Sequence, residues 1–146
     1  MLVVDASVAT KWIVAESGSD KARVLLSGDE DLRAPLLLLI EVHYTLAKRF
    51  NRREIHFNQF ANAAHFLRTV VALHPLDEQA VFAAWQISIL GRAAPGASLP
   101  PADWHAFSIY DSLYIATALN LNAPLITADN AQADAAERFG VKVRRL

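Results

Sequence analysis

Cysteine is absent from this chain of 146 residues, methionine occurs once and glycine five times. Without cysteine there is no disulfide scaffold, no thiolate metal site and no cysteine nucleophile, and a reducing, cytoplasmic setting is expected. A dominant charge is lacking too. Fourteen Lys+Arg stand against 15 Asp+Glu, a formal net charge of -1, which taken alone argues against a binder that is basic all over. Long apolar stretches are also missing. Leu36–Ile40 ends at Glu41, far short of the roughly 20 residues that span a bilayer. Met1–Val4 is followed at once by Asp5, too short for the apolar part of a signal peptide. No membrane association is expected.

Alanine and leucine, by contrast, are abundant. With 26 Ala and 19 Leu they make up nearly a third of the chain, a composition that favours helix. The length corresponds to one domain over residues 1–146, large enough to hold a core without staples. The apolar fraction of 53% is high, and a buried oligomer interface is one way to account for it.

Leu2-Val3-Val4 reads as a short buried strand, followed by a helix over about Val8–Ala15 and another over Lys21–Leu26. A short segment covers Leu32–Ala34, and Pro35 suits the first position of a long helix to about Phe50. Helices are expected over Glu54–Val70, Glu78–Leu90, Ile109–Leu121 and Gln132–Phe139, and strands over Val70–Leu76, Pro124–Thr127 and Val141–Val143. Short apolar strands alternating with helices indicate an α/β sandwich with a mainly parallel central sheet flanked by helices. Residues 91–105, rich in Gly, Pro and small side chains, read as a loop.

Four carboxylates stand in unusual surroundings. Asp5 and Asp129 each follow the C-terminal end of an apolar strand, the rim where open α/β sheets bind ligands. Glu41 lies in a helix that is apolar on almost every side, and Asp111 opens a mostly apolar one. Each also has a plain structural reading. Asp5 or Ser7 caps the first helix, Ser108-x-x-Asp111 fits a capping box, Asp129 or Thr127 caps the last helix, and Glu41 pairs with Lys11, Lys48 or His43. Taken together they point to chemistry. Two carboxylates about 5 Å apart at an effective dielectric of about 20 repel by roughly 3 kcal/mol, so four converging acids must take up protons or hold a cation. Oxygen ligands without cysteine or paired histidine suit Mg²⁺ or Mn²⁺, which activates water for attack on phosphorus.

At these residues the sequence resembles a known family. Val3-Val4-Asp5-Ala6-Ser7-Val8-Ala9-Thr10-Lys11-Trp12 is similar to the opening of PIN-domain ribonucleases, especially VapC-type toxins of type II toxin–antitoxin systems. Ala34-Pro35 through Glu41-Val42, Tyr110-Asp111-Ser112-Leu113-Tyr114-Ile115-Ala116 and Leu125-Ile126-Thr127-Ala128-Asp129 resemble that family's later motifs, in the same order. The resemblance covers essentially the whole chain. It implies a PIN-like three-layer sandwich in which Asp5, Glu41, Asp111 and Asp129 form the Mg²⁺ (or Mn²⁺) site, supported by Ser7 and Thr127. It also implies endonucleolytic hydrolysis of RNA to a 5′-phosphate and a 3′-hydroxyl, a homodimer, and a cognate antitoxin protein whose tail enters the groove. Residues 91–107 depart from the family pattern as a loop insertion.

Candidate RNA contacts are Lys11, placed to face the acids or a phosphate, and the cluster Lys48, Arg49, Arg52 and Arg53, which equally suits a helix C-terminus. Arg92, Trp104 and His105 flank or lie in the inserted loop. Setting the four acids aside as metal ligands leaves the remainder at +3, in keeping with local rather than broad RNA contacts. Two other readings are a nuclease acting on DNA or structured flaps, and a non-catalytic α/β signalling or interaction module. The first is separated by rates on matched RNA and DNA. The second lacks the adjacent acid pair that a phospho-acceptor domain would need.

Overall fold

The computed structural model describes residues 1–90 and 107–146. The expected inserted loop, with Arg92, Trp104 and His105, lies outside the described residues except for Phe107. Phe107 is buried and donates its backbone N–H to the Ser88 carbonyl at 2.9 Å.

The elements follow one another as β1 (Leu2–Val4), α1 (Ala6–Ile13), α2 (Ser19–Val24), a 3-10 turn (Leu25–Ser27), β2 (Leu32–Pro35), α3 (Leu37–Asn51), α4 (Phe57–Val70), β3 (Ala72–His74), α5 (Glu78–Leu90), α6 (Ile109–Asn120), β4 (Leu125–Thr127), α7 (Asn130–Arg138) and β5 (Val143–Arg145). The five strands form one sheet in the order β3-β2-β1-β4-β5, and every pairing is parallel. Leu2, Val3 and Val4 are all buried. A central parallel strand covered on both faces needs apolar residues without alternation, and that is how β1 reads. The helices that pack on the sheet fall into two groups. Helices α1, α3 and α4 contact one another and reach β4, β2 and β3, while α6 lies on β1, β2 and β4 with α5 against it and α7 beside it over β4 and β5.

Strand order reverses on either side of β1: the chain moves outward through β2 to β3, then returns to β4. The switch point between β1 and β4 is where a crevice opens beyond the carboxyl ends of the strands. Each return between parallel strands also brings the next helix back from that rim, so α6 begins there.

Several boundaries differ from the sequence reading. Pro35 ends β2 instead of opening α3, whose N-cap is Leu36. A proline lacks the N–H for a ladder bond, and Leu36 supplies it, donating to the His74 carbonyl at 2.7 Å. The segment at Leu32–Ala34 is a paired strand, and the strand expected over Val70–Leu76 shrinks to Ala72–His74 because α4 runs through Val70. The last strand is Val143–Arg145, not Val141–Val143. Gly140 takes a left-handed φ of 80°, and the Val141 N–H bonds back to the Ala136 carbonyl at 3.0 Å. Val141 thus finishes the C-cap of α7, and β5 starts later.

Candidate active site

Asp5 follows β1 directly and is the N-cap of α1. Its Oδ2 accepts the Ser7 backbone N–H at 2.9 Å and the Thr127 hydroxyl at 3.2 Å. Its Oδ1 accepts the Gln132 side-chain amide at 3.2 Å. Ser7 does not cap α1. Its hydroxyl lies 3.4 Å from Thr127 Oγ1 and accepts the Ala128 N–H at 3.0 Å, tying the end of β4 to the start of α1. Asp129 caps α7 by accepting the Gln132 N–H at 3.0 Å, and its own N–H goes to Thr127 Oγ1 at 2.9 Å. Ser7 and Thr127 therefore hold the backbone on which Asp5 and Asp129 sit.

Glu41 comes from the second turn of α3. Neither Lys11, Lys48 nor His43 holds it; its Oε2 accepts the Tyr114 hydroxyl at 2.6 Å. Burial raises its pKa, the Tyr114 hydrogen bond lowers it, and the charge of Asp5 raises it, with a net upward shift. Asp111, in the first turn of α6, donates its backbone N–H to the Ser108 hydroxyl at 3.4 Å, so the capping part of the Ser108–Asp111 reading is real. Its carboxyl has a second environment. Burial first, then the charges of Asp5, Asp129 and Glu41, push its pKa up to about 7, against a small opposing effect from Ser108. Tyr114 is fully buried one turn further along α6. Burial and the charges of Asp5, Glu41 and Asp111, together with the hydrogen bond to Glu41, hold its pKa well above the usual phenol value, so it remains a neutral donor.

Asp5, Glu41 and Asp129 line one cleft with Ser7, Lys11 and Arg49. Asp111 does not line it but lies within electrostatic reach of all three. Among the described residues no three His, Asp or Glu side chains are close enough to hold an ion as they stand. The donor set nonetheless fits a hard divalent cation. It is all oxygen and of one sign, and burial together with the neighbouring charges raises the Asp111 pKa. Mg²⁺ keeps several waters and typically takes one or two carboxylates plus substrate phosphate, not an all-protein cage.

The basic residues divide. Lys11 donates to Glu16 Oε1 at 2.7 Å and to the Ser17 carbonyl at 2.9 Å. Arg49 pairs with the other Glu16 oxygen and reaches Glu54 at 3.5 Å. Glu16 thus holds both cations at the rim of the cleft. Lys48 lies over the Tyr44 ring at 4.1 Å, and Arg52 and Arg53 are exposed where α3 ends, away from the cleft lining. Sequence reasoning missed Tyr114 and Gln132. Tyr114 was discoverable from its i+3 spacing to Asp111 on one helix face. Gln132 was the polar exception between Ala131 and Ala133, at capping-box spacing from Asp129.

The model of the PIN domain family matches residues 2–138. Among solved structures, the chain is similar to VapC20 of Mycobacterium tuberculosis, described as a sarcin–ricin loop cleaving toxin, at 19% identity and a TM-score of 0.66, covering 92% of this chain and 95% of that one. FitAcB of Neisseria gonorrhoeae is 16% identical, with a TM-score of 0.67 over 98% and 96% of the two chains. VapBC2 of Rickettsia felis, bound to a DNA fragment from its promoter, is 12% identical, with a TM-score of 0.66 over 99% and 97%. No curated protein matches by sequence. The structural likenesses are likenesses of fold, and the family model reaches across the strand ends and helices that carry the four acids: the chain belongs to the PIN domain family.

Proposed function

We propose that this protein is a metal-dependent endoribonuclease and the toxin of a toxin–antitoxin pair, with Asp5, Glu41, Asp111 and Asp129 holding Mg²⁺ or Mn²⁺. The observation that carries the reading is the meeting of carboxylates from residues 5, 41 and 129 in one cleft at the sheet's switch point, with their charges converging on Asp111. Family membership supports it, as does a fold shared with a protein described as a cleaving toxin.

Bound at these carboxylates, the ion supplies positive charge at a phosphoryl oxygen and acidifies water. The chain's own residues do the rest. Asp5 and Asp129 are fixed by Ser7, Thr127 and Gln132, and Glu41 by Tyr114. Lys11 and Arg49, at the rim, are the proposed contacts to phosphates flanking the scissile one, which would take the place of Glu16 as their partner. Hydrolysis adds water across one P–O bond, leaving a 5′-phosphate and a 3′-hydroxyl that carries away a proton. An antitoxin and a second copy of the chain are the proposed partners. Exposed apolar side chains suited to them occur on α3 (Leu36, Ile40, Tyr44) and α5 (Val81, Phe82, Trp85).

Purified protein is expected to cut RNA in Mg²⁺ or Mn²⁺, to lose at least a hundredfold in rate as Asp5→Asn, and to be silent in excess chelator. Full cleavage by that variant, or without free metal, would overturn the proposal. Faster cleavage of matched DNA would overturn the choice of RNA.

A further inference from the structure

Gln132 is fully buried, and neither the family motifs nor the four acids account for it. Asp129-Asn130-Ala131-Gln132 has capping-box spacing, in which a glutamine side chain turns back to the N-cap N–H. Here the Asp129 N–H is already given to Thr127 Oγ1 at 2.9 Å, and the Gln132 amide instead reaches Asp5 Oδ1 at 3.2 Å. The backbone N–H of the same residue donates to Asp129 Oδ1 at 3.0 Å. One residue therefore holds the carboxylates at the ends of β1 and β4 in a common frame.

The far end of the amide explains why this is more than packing. Gln132 Oε1 is buried with no hydrogen-bond partner among the described residues. A stranded acceptor disfavours folding, and methionine or leucine would fill similar space without one. The amide's gain is the donor directed at Asp5. That donor is also neutral, whereas a lysine or arginine there would set a fixed positive charge against the same carboxylates and compete with a cation.

We propose that Gln132 is a positioning residue that fixes the Asp5 and Asp129 carboxylates for divalent-cation binding, at the expense of a buried unpaired oxygen. The inference rests on the metal-site reading above. Residues that orient metal-binding side chains from behind commonly change affinity by about 10–100-fold.

The test uses the full-length protein, wild type and as Gln132→Met and Gln132→Leu. Mn²⁺ binding is measured by electron paramagnetic resonance titration, and apo stability by thermal melting followed by circular dichroism. Asp5 Oδ2 keeps its Ser7 and Thr127 donors in both variants, and the donor lost at Oδ1 is offset by removal of the stranded Gln132 oxygen, so the apo melting temperature is expected to stay within a few degrees of wild type while Mn²⁺ binding weakens about tenfold or more. A weakening of less than about threefold in a folded variant would overturn the proposal, and so would failure of both variants to fold, which makes the residue structural. If the wild type itself binds no Mn²⁺, the metal-site reading fails first, a result distinct from either.

Discussion

Tyr114 decides where Glu41 stands. Its hydroxyl is the hydrogen-bond partner of Glu41 Oε2, at 2.6 Å, in a fully buried position. Tyr114→Phe keeps the ring and removes only that donor, so a partly buried carboxylate is left with an unmet acceptor. The expected cost is about 1–3 kcal/mol in urea unfolding, together with a fall of about tenfold in cleavage rate as Glu41 loses its fixed position. A variant with wild-type rate and stability would show that Glu41 is held by other means. The four acids were legible in the sequence because carboxylates are conspicuous in apolar surroundings. Their partners were not, since a tyrosine and a glutamine in helices look ordinary until the strand ends bring them against Glu41 and Asp5. Lys11 shows a further limit. Its sequence position suited a counter-charge for the acids, but the turn at Gly18, with a φ of 84°, follows the residues that take the ammonium, Glu16 and Ser17.

Helix α3 is the element in which fold and site are most closely combined. Leu38, Val42 and Leu46 are buried at four-residue spacing, and Leu36, Ile40 and Tyr44 form an exposed row. Glu41, Thr45 and Arg49 line the cleft. Three rows on one helix explain why its sequence looks apolar nearly all round. The burial of the Leu38 row sets the rotation that presents Glu41 to Tyr114, so Leu38→Ala is expected to destabilise the protein by about 2–5 kcal/mol, read from the urea midpoint. A loss under 1 kcal/mol would mean that the helix is anchored elsewhere. Element types were largely legible from periodicity and caps, and the elements whose ends moved show why boundaries were less so. Pro35 satisfies a helix-start rule locally but is held in β2 by pairing with β3, and Val141 sits in an apolar run but completes the cap of α7, so that β5 starts later.

For the whole molecule, the acid cluster makes stability depend on pH. A carboxyl whose pKa rises on folding holds more protons in the native state than in the unfolded one, so stability falls as pH climbs from the ordinary value to the raised one. For Asp111 that window runs from 3.8 to about 7, and Glu41 shifts in the same direction. The melting temperature of metal-free protein is therefore expected to decline across this range in calorimetry. Asp111→Asn should flatten the decline and melt higher than wild type at pH 8 while losing cleavage. A wild-type profile that is flat or rising over the window would contradict the clustering of charge. The parallel sheet has a consequence in time as well as space. Strand β1 pairs with β4 across more than 120 residues of chain, and Asp5 takes two of its donors from Thr127 and Gln132. A chain emerging from the ribosome carries Asp5 first but cannot frame it until Thr127 and Gln132 have followed. The cleft is thus assembled only after both strands and the start of α7 have emerged, and until then the carboxylates of a partly made chain stand apart.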